Sequence, residues 1–260
     1  MTIHVLIPCS ATKKHPVSIT WSAADNLASW KDKWDSQSKK YPITNIYSGR
    51  TTKILLESLT QNDVVNGYFI SAGGGLMPIN DEVNIPSYDS TFIKDKGPTI
   101  DEWHKLPFGG LKNIKMKTGD SIVSFAPPKY HRSIAKDPYL AKIKGALVVS
   151  SNSPLVNNAG TIIPVHPRSR EVLGCSFFDI NARLLTLYLN KGEKGLAVIF
   201  NKAGNLPPLA KRNKLTNLQL DKIVAKYGNK LTLQKLVKSI RLSGYSASYE
   251  RIKTAKNKFI

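Results

Sequence analysis

Four short apolar runs, each stopping abruptly at small polar or glycine-rich sequence, constrain this chain more than any other feature. They are "IHVLIP" (3–8), "GYFISA" (67–72), "DSIVSFA" (120–126) and "GALVVSS" (145–151). A strand with one wet face alternates apolar and polar residues. These runs are nearly continuous and rich in β-branched side chains, so both faces are expected to be covered, as in the centre of a parallel sheet. Helical spacing fits between them. At 50–59, Ile54, Leu55 and Leu59 share a face, and at 176–189 Phe177, Leu184, Leu185 and Leu189 are apolar. The predicted class is α/β with a parallel-sheet core. The run "GLAVIF" (195–200) suits either another strand or a buried helical turn.

With 260 residues, 41% of them apolar and 22% charged, the chain is long enough to bury a sizeable core and is composed like a globular protein. No apolar run reaches the roughly 18 residues that cross a bilayer, and "MTIHVLIPCS" lacks the basic flank and long apolar stretch of a signal peptide. A cytoplasmic protein is expected. Cys9 and Cys175 are distant in sequence and belong to no CxxC or Cys/His cluster, so neither a disulfide framework nor a zinc site is predicted.

Charge points to a partner. The net charge is +20, from 38 Lys and Arg against 18 Asp and Glu, which favours a polyanion. Residues 201–260 carry 14 basic and two acidic side chains, a net of +12, leaving +8 for the other 200 residues. Anionic membrane binding is disfavoured because no strongly amphipathic, aromatic-anchored helix stands out.

The same segment changes character. "NKAGNLPPLAKRNK" (201–214) reads as a linker between a core at 1–200 and an appendage at 215–260. Three helical patterns follow, at 216–226, 231–241 and 247–258, with Thr232 and Ser246 as candidate caps and Gly244 suited to a tight helix-to-helix turn. The last would carry Arg251, Lys253, Lys256 and Lys258, as a helix-turn-helix recognition helix could. A basic three-helix appendage that only packs or holds phosphates fits equally.

In open parallel sheets, ligands sit beyond the carboxyl ends of the strands. Here those ends carry Cys9 and Ser10, then "SAGGGL" (71–76), "PPKYHR" (127–132) and "SSNSPL" (150–155). Ser71, Gly73, Gly74 and Gly75 would let backbone N–H groups approach an anion or a base, although a glycine triplet also makes a tight turn. Cys9 reads as a small buried residue before it reads as a nucleophile.

The blocks "IPCSATKK", "IYSGRTTKIL" (46–55), "FISAGGGLMP" (69–78) and "SYDSTF" (87–92), in this order and spacing, resemble a bacterial family that reads strand-"CSxxK", "YxSxxFK", "SAxxGL" and "YD". That family is similar to the uracil-DNA glycosylase-like superfamily, as are the peroxide-stress YaaA proteins and an accessory domain of archaeal tRNA-guanine transglycosylases. The resemblance covers about residues 3–155 and implies a three-layer core and a kinship with anti-phage glycosylases acting on hypermodified bases. Ser48 and Lys53 match the second block, whereas Arg50 and the neighbouring threonines depart from it. Glycine replaces the aromatic residue or lysine common in "SAxxGL", which would widen a pocket. "SSNSPL" is similar to the His-Pro-Ser-Pro-Leu loop of uracil-DNA glycosylases, with Asn152 near the histidine's place, and Cys9 and Ser10 stand where those enzymes place an aspartate.

Breaking an N-glycosidic bond develops positive charge on the sugar, which a fixed carboxylate stabilises. By its match to the family block Asp89 is the first candidate, although it also reads as a turn-capping aspartate that satisfies backbone N–H groups; Asp81 is the second, with Asn80 placed to read a base edge. Cys9, Ser10, Ser71, Gly73, Gly74, Asn80, Tyr88 and Asn152 would form the base pocket, with Tyr88 stacking on a flipped base. Lys13, Ser48, Arg50, Lys53, Tyr130, His131 and Arg132 would hold phosphates or the leaving base, together with Arg251, Lys253 and Lys256; His131 also reads as a neutral structural histidine. No metal or organic cofactor is implied, and no obligate protein partner.

Three functions follow as expectations. The first is a DNA glycosylase that excises hypermodified phage-type bases from duplex DNA in defence, guided by a basic helix-turn-helix-like domain. The second is a DNA-binding stress or defence protein without chemistry. The third is an enzyme or binding module for modified nucleotides or RNA bases.

Overall fold

The computed structural model describes residues 2–62, 64–92, 96–143, 146–150, 160–207 and 213–259. Six strands, β1 (Ile3–Pro8), β2 (Val65–Ser71), β3 (Gly75–Pro78), β4 (Ser121–Ser124), β5 (Ala146–Ser150) and β6 (Gly160–Pro164), form one sheet in the order β6-β5-β4-β1-β2-β3. All neighbours are parallel except β3, which returns antiparallel beside β2. The four apolar runs are the four central strands, and their continuity reflects burial: Val5, Leu6, Ile7, Phe69, Ile70, Val123 and Val149 are all in the core. The two edge strands were not expected. β3 begins inside the glycine triplet, and β6 ends in proline.

Ile3 pairs with Val65 and Pro8 with Ile70, while Leu6 pairs with Ser124 on the other side. β1 therefore ends within one residue of β2 and two residues beyond β4, and Cys9 extends the ladder by donating its N–H to Ile70 O at 3.2 Å.

Four helices matter for the site. α1 (Leu27–Asp35) starts at Asn26, whose side chain accepts from the N–H groups of Ala28 and Ser29, while the Ser29 side chain closes a capping box. Trp30 and Trp34, one turn apart, form its buried stripe. α2 (Arg50–Thr60) buries Leu55 and Leu59 as expected. α3 (Pro128–Ala135) places proline in its first turn, where no N–H is missed. α4 (Ile180–Gly204) replaces both the shorter helix expected at 176–189 and the ambiguity at 195–200. "GLAVIF" is helical, with Gly195 and Leu196 buried; Gly192 at φ 60° kinks the helix and broke its sequence pattern. α4 runs to Gly204, so residues 201–204 are helix rather than linker.

The chain divides into two compact units, Met1–Leu206 and Pro207–Ile260. The second has its own core of Leu215, Leu220, Val224, Leu236, Val237, Ile240, Ile252 and Ala255. These come mainly from α5 (Asn217–Tyr227), α6 (Leu233–Leu242) and α7 (Tyr249–Asn257). Thr216, Thr232 and Ser248 cap them through side-chain oxygens. Ser246 is not a cap: with Tyr245 it pairs against Asn213–Lys214 in a two-residue parallel ladder, and Gly244 turns before it at φ 79°. Among the described residues, no helix is long and apolar enough to cross a membrane.

Candidate functional site

The loop after β1 is fixed by its own polar groups. Ser10 Oγ accepts the Thr12 N–H at 3.1 Å, and Lys13 Nζ donates to Ser10 O at 2.9 Å. The segment before α2 clasps this loop, with Ser48 N–H donating to Thr12 O and Lys14 N–H to Ile46 O. A Cβ at position 49 would stand 2.6 Å from Ser10 Oγ, so a side chain there would displace this hydroxyl.

Below the loop lies a chain of hydroxyls. Tyr47 Oη is 2.6 Å from Tyr88 Oη, which is 2.5 Å from Ser71 Oγ. Ser71 Oγ also accepts the N–H groups of Gly73 (3.1 Å) and Gly74 (2.9 Å). Tyr130 donates its hydroxyl to Cys9 O at 3.1 Å. Lys13 Nζ sits over two rings, 4.7 Å from the Tyr88 centroid and 5.0 Å from that of Tyr47. Burial pushes the Tyr47, Tyr88 and Tyr130 phenols up, keeping them neutral hydrogen-bonding groups. Burial also lowers the Lys13 ammonium, a shift opposed by Cys9 and by the Asp89 carboxylate. Lys13, Cys9 and Asp89 thus form one electrostatic group at the carboxyl ends of β1 and β2.

Beside this group opens a groove of about 510 Å³ lined by Trp21, Asn26, Phe92, Pro98, Thr99 and Glu102, within the size range of ligand pockets. One of its walls touches Asp89 through the backbone, and another touches Tyr130, which is bonded to Cys9 O. Trp21 N–H donates to Asp89 O at 3.0 Å, and the Phe92 ring meets Tyr130 edge-on with centroids 5.5 Å apart. Asp89 itself is exposed.

Several sequence expectations are corrected by these positions. The Gly73 and Gly74 N–H groups are spent on Ser71, and the whole segment 71–77 is buried, with Trp30 Nε1 donating to Gly73 O and Trp103 Nε1 to Ser71 O, both at 2.7 Å. The triplet packs; it neither cradles an anion nor widens a pocket. Tyr88 is 1% exposed, with Lys13 over its ring and the Trp34 ring 5.0 Å away, so it offers no platform to a base. Tyr130 is likewise buried by its bond to Cys9 O, and His131 is 0% exposed beside Ser124 Oγ at 2.7 Å; neither reaches a phosphate.

Asp81 and Asn80 lie elsewhere. β3 runs back from Gly75, opposite Ser71, to Pro78, opposite Tyr68, which carries residues 80 and 81 toward the amino end of β2. There Asn80 Oδ1 accepts the N–H groups of Glu82 and Val83 in a turn, and Asp81 accepts the Thr44 hydroxyl at 2.6 Å. Arg50 is exposed and pairs with Asp179 at 3.5 Å; Lys53 and Arg132 are exposed on α2 and α3, and Ser48 is half-buried. Asn152, with "SSNSPL" from residue 151 onward, lies outside the described residues.

In the second unit, Arg251 donates to Leu215 O at 2.8 Å and to Asn217 Oδ1 at 2.7 Å, and Lys256 Nζ donates to Leu231 O at 2.5 Å. Both basic groups hold the unit together, which leaves Lys253 as the exposed member of the expected trio. Sequence reasoning also missed Tyr47, Trp21 and Phe92. Tyr47 and Phe92 stand within the quoted blocks, but nothing in the sequence distinguishes a ring that walls a site from one that fills a core.

Two predictions arise from this packing. A Cβ at position 73 would lie 2.7 Å from Tyr88 Cδ2 and Cε2, so Gly73→Ala is expected to cost about 1–3 kcal/mol of stability in denaturant melts. Unchanged stability would show that the ring can withdraw. The second concerns pH. Burial lowers His131 to about 4 from 6.5, so the unfolded chain binds that proton more readily. Its contribution is complete above about pH 6.5 and is lost as pH falls toward 4, roughly 2–3 kcal/mol by pH 4.5. Asp25 and Asp120 are held near 2 and contribute their loss below that window. Chemical denaturation at pH 7.5 and 4.5 measures the slope, which His131→Gln should flatten.

Comparison with family models, with curated proteins and with solved structures finds no match to this chain.

Proposed function

We propose that this protein is a DNA glycosylase that draws a modified base out of duplex DNA and hydrolyses its N-glycosidic bond, leaving an abasic site, with hypermodified phage DNA as the substrate class. The observation that carries this reading is an exposed carboxylate, Asp89, grouped with the half-buried Lys13 beside an aromatic-walled groove at the strand ends. As the C1′–N bond breaks, its electron pair leaves with the base and positive charge develops on the sugar. Asp89 stabilises that cation and orients the water that adds to C1′, the proton this water releases passes to the departing base, and until then the Lys13 ammonium offsets the negative charge on that base. The surplus charge of the second unit supports docking to phosphates. The resemblance to the uracil-DNA glycosylase-like superfamily points the same way.

Docking without chemistry is the second reading. It is favoured by the burial of Tyr88 and Tyr130, which removes two aromatic surfaces that could have received a base. The test is incubation with phage DNA carrying hypermodified cytosine or thymine, beside unmodified DNA, followed by assay of abasic sites and released bases. Abasic sites confined to modified DNA establish the glycosylase. Tight binding with no base release across the panel establishes the docking protein.

A further inference from the structure

Phe177 and Phe178 are 69% and 80% exposed, with their rings edge to face and centroids 6.1 Å apart. Such exposure is ordinary in a loose loop, but this loop is held firmly. Ser176 Oγ donates to Asp179 Oδ2 at 2.8 Å, and Asp179, 4% exposed, accepts the Thr51 hydroxyl at 3.2 Å and pairs with Arg50. Thr51 also donates to Phe178 O at 3.3 Å. Two large apolar rings are thus presented to water on a built support, which marks an interaction site.

The location and charge indicate the occupant. The pair shares a pocket of about 200 Å³ with Pro127 and Pro128, which follow the carboxyl end of β4, and with Val165 and Pro167, which follow that of β6. Arg50 and Thr51 follow directly on Gly49, which packs on Ser10. Exposed Lys129, Arg170 and Arg183 stand on the segments around the rings, whereas the carboxylates there are paired, Asp179 with Arg50 and Glu171 with Arg168. An apolar tip within a cationic rim, at the strand-end edge of the sheet, suits a stack of bases between phosphates.

We propose that Phe177 and Phe178 are a wedge that enters the base stack of duplex DNA and holds open the gap left by the base drawn into the crevice. This rests on the glycosylase reading, which it deepens by naming positioning residues. The test uses the full chain and duplexes bearing internal 2-aminopurine, whose fluorescence rises on unstacking, with affinity read from an end label. Wild type is expected to raise the signal. The double variant F177A/F178A should bind with affinity within about threefold yet lose at least about fivefold of the rise, because phosphate contacts carry the binding. Both rings are exposed, so its melting temperature should match wild type.

Wild-type binding without a rise, or an undiminished rise in the double variant, overturns the wedge and leaves docking standing. No binding of duplex DNA by wild type overturns the wedge and the proposed function together. Retention of wild type but not the variant on phosphatidylserine–phosphatidylcholine vesicles, with no unstacking of DNA, overturns the wedge in favour of a membrane surface.

Discussion

Asp89→Asn is expected to slow base release by on the order of 10²–10³-fold while leaving duplex affinity unchanged, because a fixed charge acting only on the transition state contributes to turnover rather than to binding. The substitution keeps size and shape and removes the charge. It also removes one of the two influences that oppose the lowering of Lys13, so the amine should lose its proton at lower pH in the variant. Residual activity should therefore decline at the alkaline end earlier than in wild type, a shift that a purely structural role would not produce. Asp81→Asn is the matched control: that carboxylate accepts a hydrogen bond from Thr44 near the amino end of β2, and its loss should leave base release intact. Full activity in Asp89→Asn would remove the carboxylate from the chemistry and favour docking alone.

The architecture was legible because burial leaves its mark on composition. The four central strands are continuous apolar runs, and the sheet places them side by side with polar residues at one end. What escaped was information carried by geometry. Gly192 interrupts the helical period of α4 without ending the helix, so a 25-residue element read as a shorter helix, an ambiguous run and a linker. β3 begins with Gly75 at φ 88°, where the sequence shows only three glycines in a row. The blocks that named the candidate site did gather Cys9, Ser10, Lys13, Ser71, Tyr88 and Asp89 at the strand ends, but residue type did not assign their tasks. Tyr88 and Ser71 became the hydrogen-bonded floor, Lys13 its cover, and Asp89 the exposed group. The same limit held in the second unit. Arg251 and Lys256 satisfy backbone carbonyls, a role invisible in a count of positive charges.

That distinction shapes the expected result of removing the second unit. A chain ending at Leu206 keeps the first unit's own core and is expected to remain folded, yet to lose at least about 10²-fold in affinity for duplex DNA near physiological salt. The deleted unit exposes Lys222, Lys226, Lys230, Lys235, Lys238, Arg241 and Lys253. Each phosphate contact among them that is lost should reduce the slope of log affinity against log salt by about 0.9. Lys235, Lys238 and Arg241 follow one another at three-residue steps along α6, so docking should depend more on this helix than on the terminal one, whose Arg251 and Lys256 are already engaged. Lys235→Ala/Lys238→Ala in the full chain should thus reproduce a reduction in slope of about two, with the helical unit still folded. If the truncated chain binds duplex DNA with unchanged affinity and slope, the electrostatic footprint lies on the first unit. The cations around Phe177 and Phe178 would then carry docking as well as surround the wedge.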